Sequence, residues 1–413
     1  MFRTTHTECS GRQESVAHAR GYPGMEVYAG AYGGKGMTYQ AAVVDTFYSR
    51  DLDILISELD RHGIKVDVFQ PEIKDLEELA DYDVVVVQHL KFGRELVEQL
   101  DPERCRLVVR MGVGYDELDL PALTEKGIMA ANVPGYGPDS VGQHTLQYML
   151  SLAGHANEYH HRATNRRDLD LGKGPTGEDR WTGESRIPSI PLHRSVLGII
   201  GYGRIGKKVA ELSRPLFRSI LVCDPYQGEA VFLETGIRRV NLEQLLETTD
   251  FVTLHVPLFE HPQRVYLGFE DHYRPTERFY RPTIGMMGEE QIAQMKDGSF
   301  LINTCRGEVV KESAVIEALI RGKLAGVAMD VFEKEPLGRT HPLRTMADGD
   351  LPERHPLRDA GQEKYNIILT FHSAYYLRGV FRTVEELTAE EIIRVLIHRQ
   401  LPQHLVNPEV LSY

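Results

Sequence analysis

The sequence predicts an α/β protein of two doubly wound parallel-sheet domains, and three observations carry that prediction. Short apolar, β-branched runs alternate with amphipathic helical segments along most of the chain. The alternation falls into two blocks, separated by the breaker cluster Asn132-Val133-Pro134-Gly135-Tyr136-Gly137-Pro138 and a long helical segment. The strand runs are continuously apolar, as in Val84–Val87 and Val196–Ile200, which suits strands covered on both faces. A chain of 413 residues is long enough for two such domains.

Taken in order, residues 1–37 lack both signal-peptide layout and periodicity, and read as a flexible N-terminal extension. Strands are expected at 41–45, 66–69, 84–87, 107–110 and 128–131, with helices at 51–62, 76–79, 94–100 and 118–126. One long helix should run from 140 to 161, followed by a loop rich in Arg, Asp and Gly to about 193. The second block places strands at 196–200, 220–223, 251–256, 300–303 and 325–329, and helices at 205–216, 242–247, 289–296 and 311–321. A last strand at 367–370 and a helix at 384–398 should return to complete the first sheet. The domains expected are therefore 38–138 with 362–413, and 139–361 inserted between them.

Composition excludes several function classes. There are 60 acidic against 47 basic side chains, a net charge of −13, which argues against nucleic acid or an anionic membrane as a partner. No run approaches the roughly 20 apolar residues that span a bilayer. Cys9, Cys105, Cys223 and Cys305 are scattered without metal-ligand spacing, so reduced thiols in the cytoplasm and no metal site are expected.

Ser195-Val196-Leu197-Gly198-Ile199-Ile200 leads into Gly201-Tyr202-Gly203-Arg204-Ile205-Gly206, then an amphipathic helix, then a strand ending at Asp224. Strand, glycine loop, helix, strand and acid in that order describe a Rossmann dinucleotide site. Gly201 permits the tight turn, Gly203 lets backbone approach a pyrophosphate, and Gly206 lets the helix pack on the strand. The helix N-terminus supplies N–H groups and positive potential for phosphates. Asp224 can accept from ribose hydroxyls and repels a 2′-phosphate, so NAD is the expected cofactor.

Three later segments each follow a short apolar run: Asn303-Thr304-Cys305-Arg306-Gly307, Asp330-Val331-Phe332-Glu333-Lys334-Glu335-Pro336 and Thr370-Phe371-His372-Ser373-Ala374. Between them they offer a guanidinium, a carboxylate and an imidazole, enough to polarise a carbonyl and deliver a proton. Glu333 and Glu335 are both candidates for the carboxylate.

Together with His255-Val256-Pro257-Leu258, Arg110-Met111-Gly112-Val113-Gly114-Tyr115-Asp116 and the hinge at Asn132-Val133-Pro134, these motifs resemble the D-isomer-specific 2-hydroxyacid dehydrogenases. The resemblance runs from about Tyr39 to the C-terminus and implies a Rossmann NAD-binding domain inserted into a flavodoxin-like substrate domain. By that resemblance Arg306 would hold the substrate carboxylate and polarise the 2-oxo group, His372 would exchange the proton, and Glu335 would pair with the imidazole. Met111, Gly112, Val113, Gly114 and Tyr375 would line the substrate site, with N–H groups near Gly112 and Val113 on the carboxylate. Gly201 to Gly206 (Tyr202, Arg204 and Ile205 among them), Asp224, His255, Val256, Pro257, Thr304, Cys305, Arg306, Asp330 and His372 would border the NAD, Asp330 facing the nicotinamide amide. The family also implies a homodimer built around the hinge helix.

Departures from the pattern are informative. Phe371 stands where proline commonly precedes the histidine, and Gly142-Gln143 replace Ala-Glu in the hinge helix. Residues 259–285 and 338–364 look inserted. The first is rich in Arg and aromatic residues and reads as a lid, a subunit contact or, by default, a surface feature. The second carries mixed charge and no assigned role. An NADH-sensing scaffold, like the transcriptional corepressors that share this fold and triad, is the alternative to an enzyme.

Overall fold

The computed structural model describes residues 38–46, 52–69, 76–164, 187–259, 263–267, 276–349, 351–356 and 364–412. The expected flexible extension at 1–37 and most of the Arg- and Gly-rich loop before 193 lie outside these residues.

The first sheet is parallel throughout, in the order β2-β1-β3-β4-β5. Its strands are β1 (Tyr39–Val43), β2 (Ile64–Val68), β3 (Val84–Val87), β4 (Leu107–Arg110) and β5 (Met129–Asn132). Side chains alternate between the two faces, so the central β3 is apolar and buried at every position, whereas the edge strand β2 places Lys65 and Asp67 between its apolar residues. Val84 and Val86 of β3 pack with Leu55 and Leu59 of helix α1 (Asp53–Asp60) and with Val384 and Ile392 of the C-terminal helix. Val85 and Val87 face the other way, toward Val97 of α2 (Arg94–Glu98) and Leu123 of α3 (Leu120–Glu125).

Helix α4 (Gly137–Ala153) and helix α5 (Ala156–Thr164) replace the single long helix expected from the sequence. The break lies at Gly154-His155, where His155 takes φ +50. The imidazole Nδ1 of His155 meets Asn366 Nδ2 at 3.3 Å, and the same amide donates to the Leu152 carbonyl at 2.9 Å. A distant residue thus holds a turn that helical periodicity alone does not show.

The second sheet has seven parallel strands, β6 (Val196–Ile200), β7 (Ser219–Cys223), β8 (Arg238–Arg239), β9 (Phe251–Leu254), β12 (Ser299–Asn303), β13 (Leu324–Met329) and β14 (Asn366–Leu369). Their order is β14-β13-β12-β9-β6-β7-β8, so the topological switch sits at β6, where a dinucleotide crevice is expected. Helices α6 (Arg204–Ser213), α7 (Glu229–Thr235), α8 (Leu242–Thr248), α9 (Glu289–Gln294), α10 (Glu312–Ile320) and α11 (Pro342–Asp348) accompany it. The short α7, which the sequence pattern did not mark, ends at Gly236 with φ +65, a left-handed C-cap.

One expectation is corrected here. The last strand does not complete the first sheet: β14 pairs with β13, with Gly326 opposite Asn366 and Val327 opposite Ile367. A Cβ on Gly326 would lie 2.6 Å from the Asn366 carbonyl oxygen, so the glycine lets β14 seat on that edge. The final helix, α12 (Val380–Leu396), returns to the first sheet against α1 and β4. The residues after it bond to β5, where the Val406 N–H donates to the Ala130 carbonyl at 2.8 Å and the Ala130 N–H to Asn407 Oδ1 at 2.7 Å. The chain therefore crosses between domains through residues 370–379, and that crossing carries His372 into the cleft.

Within the first inserted segment, β10 (Gln263–Leu267) and β11 (Thr276–Tyr280) form an antiparallel hairpin. Its root is stitched to the loop after β9: Thr283 Oγ1 donates to the Pro257 carbonyl at 2.6 Å and accepts the Phe259 N–H at 2.8 Å.

Candidate active site

The glycine loop leaves β6 and opens α6. Gly201 has φ +92, and a Cβ there would lie 2.3 Å from the His255 carbonyl oxygen. A Cβ on Gly206 would lie 2.1 Å from the Gly201 carbonyl oxygen, so loop and helix touch through backbone. A Cβ on Gly203 would meet no protein atom within 4 Å. The loop is closed at two glycines and open at the third, beside the helix N-terminus, which is the shape a pyrophosphate requires.

Two residues of this region do other work than expected. The Tyr202 ring is buried, stacked on Phe232 with centroids 5.5 Å apart, so its side chain belongs to the core. Its N–H donates to Asp224 Oδ2 at 2.8 Å, while Oδ1 accepts from the N–H groups of Tyr226 (2.8 Å) and Gln227 (3.2 Å). Asp224 is thus first a clamp that shapes both loops; three of about four acceptor sites are used, leaving one for a ribose hydroxyl. Ile205, His255, Val256 and Pro257 line the neighbouring cavity. Burial pushes the His255 imidazole down to about 3, so the ring is neutral, with Nε2 3.0 Å from the Thr253 hydroxyl.

That cavity, about 870 Å³, lies between the two sheets' C-terminal edges and also receives Thr304, Cys305, Arg306, Asp330, Glu335, His372 and Tyr375. From the substrate side it receives Met111, Val113 and Gly114. Thr304 is buried, its hydroxyl 3.1 Å from that of Thr145 on α4. Cys305 Sγ rests 3.2 Å from Asn303 Oδ1, and burial raises its thiol, so it is no thiolate nucleophile.

Arg306 is held across the cleft. Its Nε donates to Asp116 Oδ2 at 2.7 Å and Nη1 donates to the Cys305 carbonyl at 2.8 Å. Burial alone would disfavour the charge, but the carboxylates of Asp116 and Glu117 more than offset it. A Cβ on Gly114 would lie 1.7 Å from Nη2, so only glycine leaves room for the guanidinium. The Gly112 N–H donates to the Arg110 carbonyl at 2.8 Å. Arg110 itself lies over Gly112 and reaches Glu117 at 3.5 Å.

His372 Nδ1 lies 2.8 Å from Glu335 Oε2. Burial would raise the Glu335 carboxyl, but the His372 imidazole, the Phe332 N–H and Arg306 hold it below the usual carboxylate range. Glu333 is excluded from this role. It accepts the Glu312 N–H at 3.0 Å, Glu312 accepts the Glu333 N–H at 2.9 Å, and His341 closes on Glu312 at 2.9 Å.

Asp330 serves the histidine loop more than an open face. Its Oδ1 accepts the Ser373 N–H and its Oδ2 the Ala374 N–H, at 2.8 and 2.7 Å, and its carbonyl accepts the His372 N–H at 2.8 Å. The Thr370 hydroxyl also donates to Oδ1, and therefore Tyr148 of α4 must donate to Thr370. This lattice holds His372 at φ +51, a backbone conformation non-glycine residues rarely adopt. Phe371, in place of a rigid proline, is 90% exposed and contributes little to that restraint. The Tyr375 ring stands at 75° to the imidazole, centroids 6.3 Å apart.

Sequence reasoning assigned no role to Asp116, Arg110, Glu117 or Tyr148. The first three lie in or beside the quoted glycine motif, but only their position opposite Arg306 shows their use. Among the described residues no group of His, Cys, Asp and Glu could hold a metal ion, and no helix is long and apolar enough to cross a membrane.

Comparison with known proteins places this geometry. A family model described as D-isomer specific 2-hydroxyacid dehydrogenase, NAD binding domain, matches residues 148–266 and 280–360, and the interruption falls within the hairpin segment. The hydroxypyruvate reductase of Blautia hydrogenotrophica is 32% identical over 275 residues, covering 66% of this chain and 76% of that protein. The glyoxylate reductase of Korarchaeum cryptofilum is 30% identical over 312 residues, covering 75% and 78%. D-3-phosphoglycerate dehydrogenase of Archaeoglobus fulgidus is 28% identical over 343 residues, 82% of this chain; the chain spans about half that relative's length, at 55%. A D-lactate dehydrogenase of Aquifex aeolicus, solved with NAD and lactic acid, superimposes with a TM-score of 0.66 at 26% identity, over 89% of this chain and 99% of that one. The chain belongs to the D-isomer specific 2-hydroxyacid dehydrogenase family.

Proposed function

We propose that the protein is an NAD-dependent oxidoreductase that interconverts a 2-oxoacid and its D-2-hydroxyacid. The observation that carries this reading is the convergence of Arg306 and the Glu335–His372 pair on one cavity beside the glycine loop. NAD(H), when bound, supplies or takes the hydride.

The chain's own residues do the rest. A carboxylate only accepts hydrogen bonds, so His372 Nδ1 carries a proton toward Glu335 and Nε2 is the atom that faces the reaction. In reduction, a protonated Nε2 donates to the carbonyl oxygen as it gains charge; in oxidation, the neutral Nε2 takes the hydroxyl proton. Glu335, held ionised, stabilises the charged imidazole and fixes its plane. The Nη edge of Arg306 binds the substrate carboxylate and polarises the adjacent carbonyl.

The same reading includes a homodimer on the face of α4, where Leu150 is 47% exposed, and a cytoplasmic location, supported by the free thiols of Cys105, Cys223 and Cys305. Residues 38–138 with the α12 segment would form the substrate domain. The test of function is NADH oxidation with glyoxylate, hydroxypyruvate, phosphohydroxypyruvate, pyruvate and bulkier 2-oxoacids. Turnover with at least one is expected; none with any, in protein that binds NADH, would overturn the enzyme reading.

A further inference from the structure

Arg306 belongs to the cofactor domain, yet the group that orients its guanidinium comes from the substrate domain. Asp116 follows β4 on the glycine loop, 190 positions away in sequence, and its Oδ2 accepts the Arg306 Nε–H at 2.7 Å. The pair is partly shielded, with side-chain exposures of 28% for Arg306 and 36% for Asp116, in a cleft that both domains line. The Cys305 carbonyl takes one Nη1 proton and Gly114 leaves room for Nη2. The Nε donor is therefore occupied, and the donors left over are Nη protons of a guanidinium that lines the cavity. Lysine could not reproduce this division of labour, because an ammonium has no second edge.

We infer that Asp116 is a positioning residue, which anchors the Nε edge of Arg306 so that the Nη edge alone meets the substrate carboxylate, and which ties the substrate loop to the cofactor domain before substrate arrives. The inference rests on the 2-oxoacid reading of the site. An anchor of this kind reduces the orientational freedom that substrate binding must otherwise remove. It also requires the acceptor oxygen and not merely bulk, which separates it from a packing role.

The experiment compares the wild-type protein with Asp116→Ala and Asp116→Asn. In D116A the KM for the best 2-oxoacid should rise about tenfold or more, with kcat less affected and NADH affinity within about twofold. D116N keeps an acceptor oxygen in place and should recover about half of the loss on a logarithmic scale. An unchanged KM in D116A, a matching loss of NADH affinity, or D116N no better than D116A would overturn the inference. A second readout does not need turnover. Modification of Arg306 by phenylglyoxal, followed by peptide mass spectrometry, should quicken several-fold in D116A. An Arg306 rate equal to wild type overturns the anchor even if no 2-oxoacid proves to be a substrate, while absent turnover with a quickened Arg306 would count against the substrate reading alone.

Discussion

The two oxygens of Glu335 are divided between two donors: Oε2 meets His372 Nδ1 at 2.8 Å, and Oε1 accepts the Phe332 N–H at 3.0 Å. Both contacts require an acceptor, so the residue that orients the imidazole is itself oriented by backbone. The histidine is further held by Asp330, and the paired restraints explain how a loop without proline keeps His372 in place.

That division predicts the behaviour of Glu335→Gln. An amide offers an acceptor oxygen on one side and a donor NH₂ on the other. Either the Phe332 N–H loses its acceptor, or the imidazole meets a donor and Nδ1 must give up its proton, which removes the stabilisation of the charged ring. We expect kcat to fall by about a hundredfold and NADH binding to stay within about threefold, measured by steady-state kinetics and fluorescence titration. His372→Ala should abolish turnover and still bind NADH. Residual activity above a few per cent in H372A would remove His372 as the proton donor.

Asp330→Asn meets the same arithmetic in a more buried place. Both carboxylate oxygens accept a backbone N–H, so asparagine must face one of them with its own NH₂. Destabilisation of about 1–3 kcal/mol is expected from urea unfolding. Turnover should drop with it, because His372 loses the support for its φ of +51.

The glycine loop predicts opposite outcomes for two alanines. Gly206→Ala brings a methyl to 2.1 Å from the Gly201 carbonyl and must displace α6, so both the melting temperature and NADH affinity should fall. Gly203→Ala meets no protein atom within 4 Å. Its melting temperature should match wild type while NADH binding weakens about tenfold or more, because the methyl enters the space left for the pyrophosphate. Equal effects at both positions would mean that the open face at Gly203 is not the ligand's.

His255 predicts a pH dependence of stability. Its folded value is about 3, so between pH 3 and its ordinary value the unfolded chain binds a proton that the folded chain does not. Stability contributed by this residue therefore falls as pH drops through that window and is fully restored above it. His255→Gln should flatten the acid side of the urea-midpoint curve, by up to about 1.4 kcal/mol per pH unit relative to wild type. Imidazole ¹⁵N shifts at pH 5 should report a neutral ring; a charged ring there would refute the assignment.

Much of this protein is determined locally and was therefore legible in its sequence. The strands Val84–Val87 and Val196–Ile200 fall where their apolar runs begin and end, because a strand covered on both faces buries every side chain. The glycine loop was equally plain, since its steric demands lie within a few residues of one another. Arg306, Glu335 and His372 could be named from motifs, and the structure brings all three to one cavity.

What the tertiary structure decided are relations between distant parts. It put β14 on the second sheet, because the free edge of β13 and Gly326 accept it, whereas periodicity only marks it as a strand. It broke the hinge helix at His155 through Asn366, and it set the Tyr202 ring in the core against Phe232. It chose Glu335 over Glu333 by giving the latter a partner at the start of α10. It gave Arg306 its anchor in Asp116, a carboxylate the chain supplies from the other domain. Periodicity and turn chemistry are properties of neighbours in sequence; partners are properties of neighbours in space, and an acidic side chain shows its use only when the donor it meets is known.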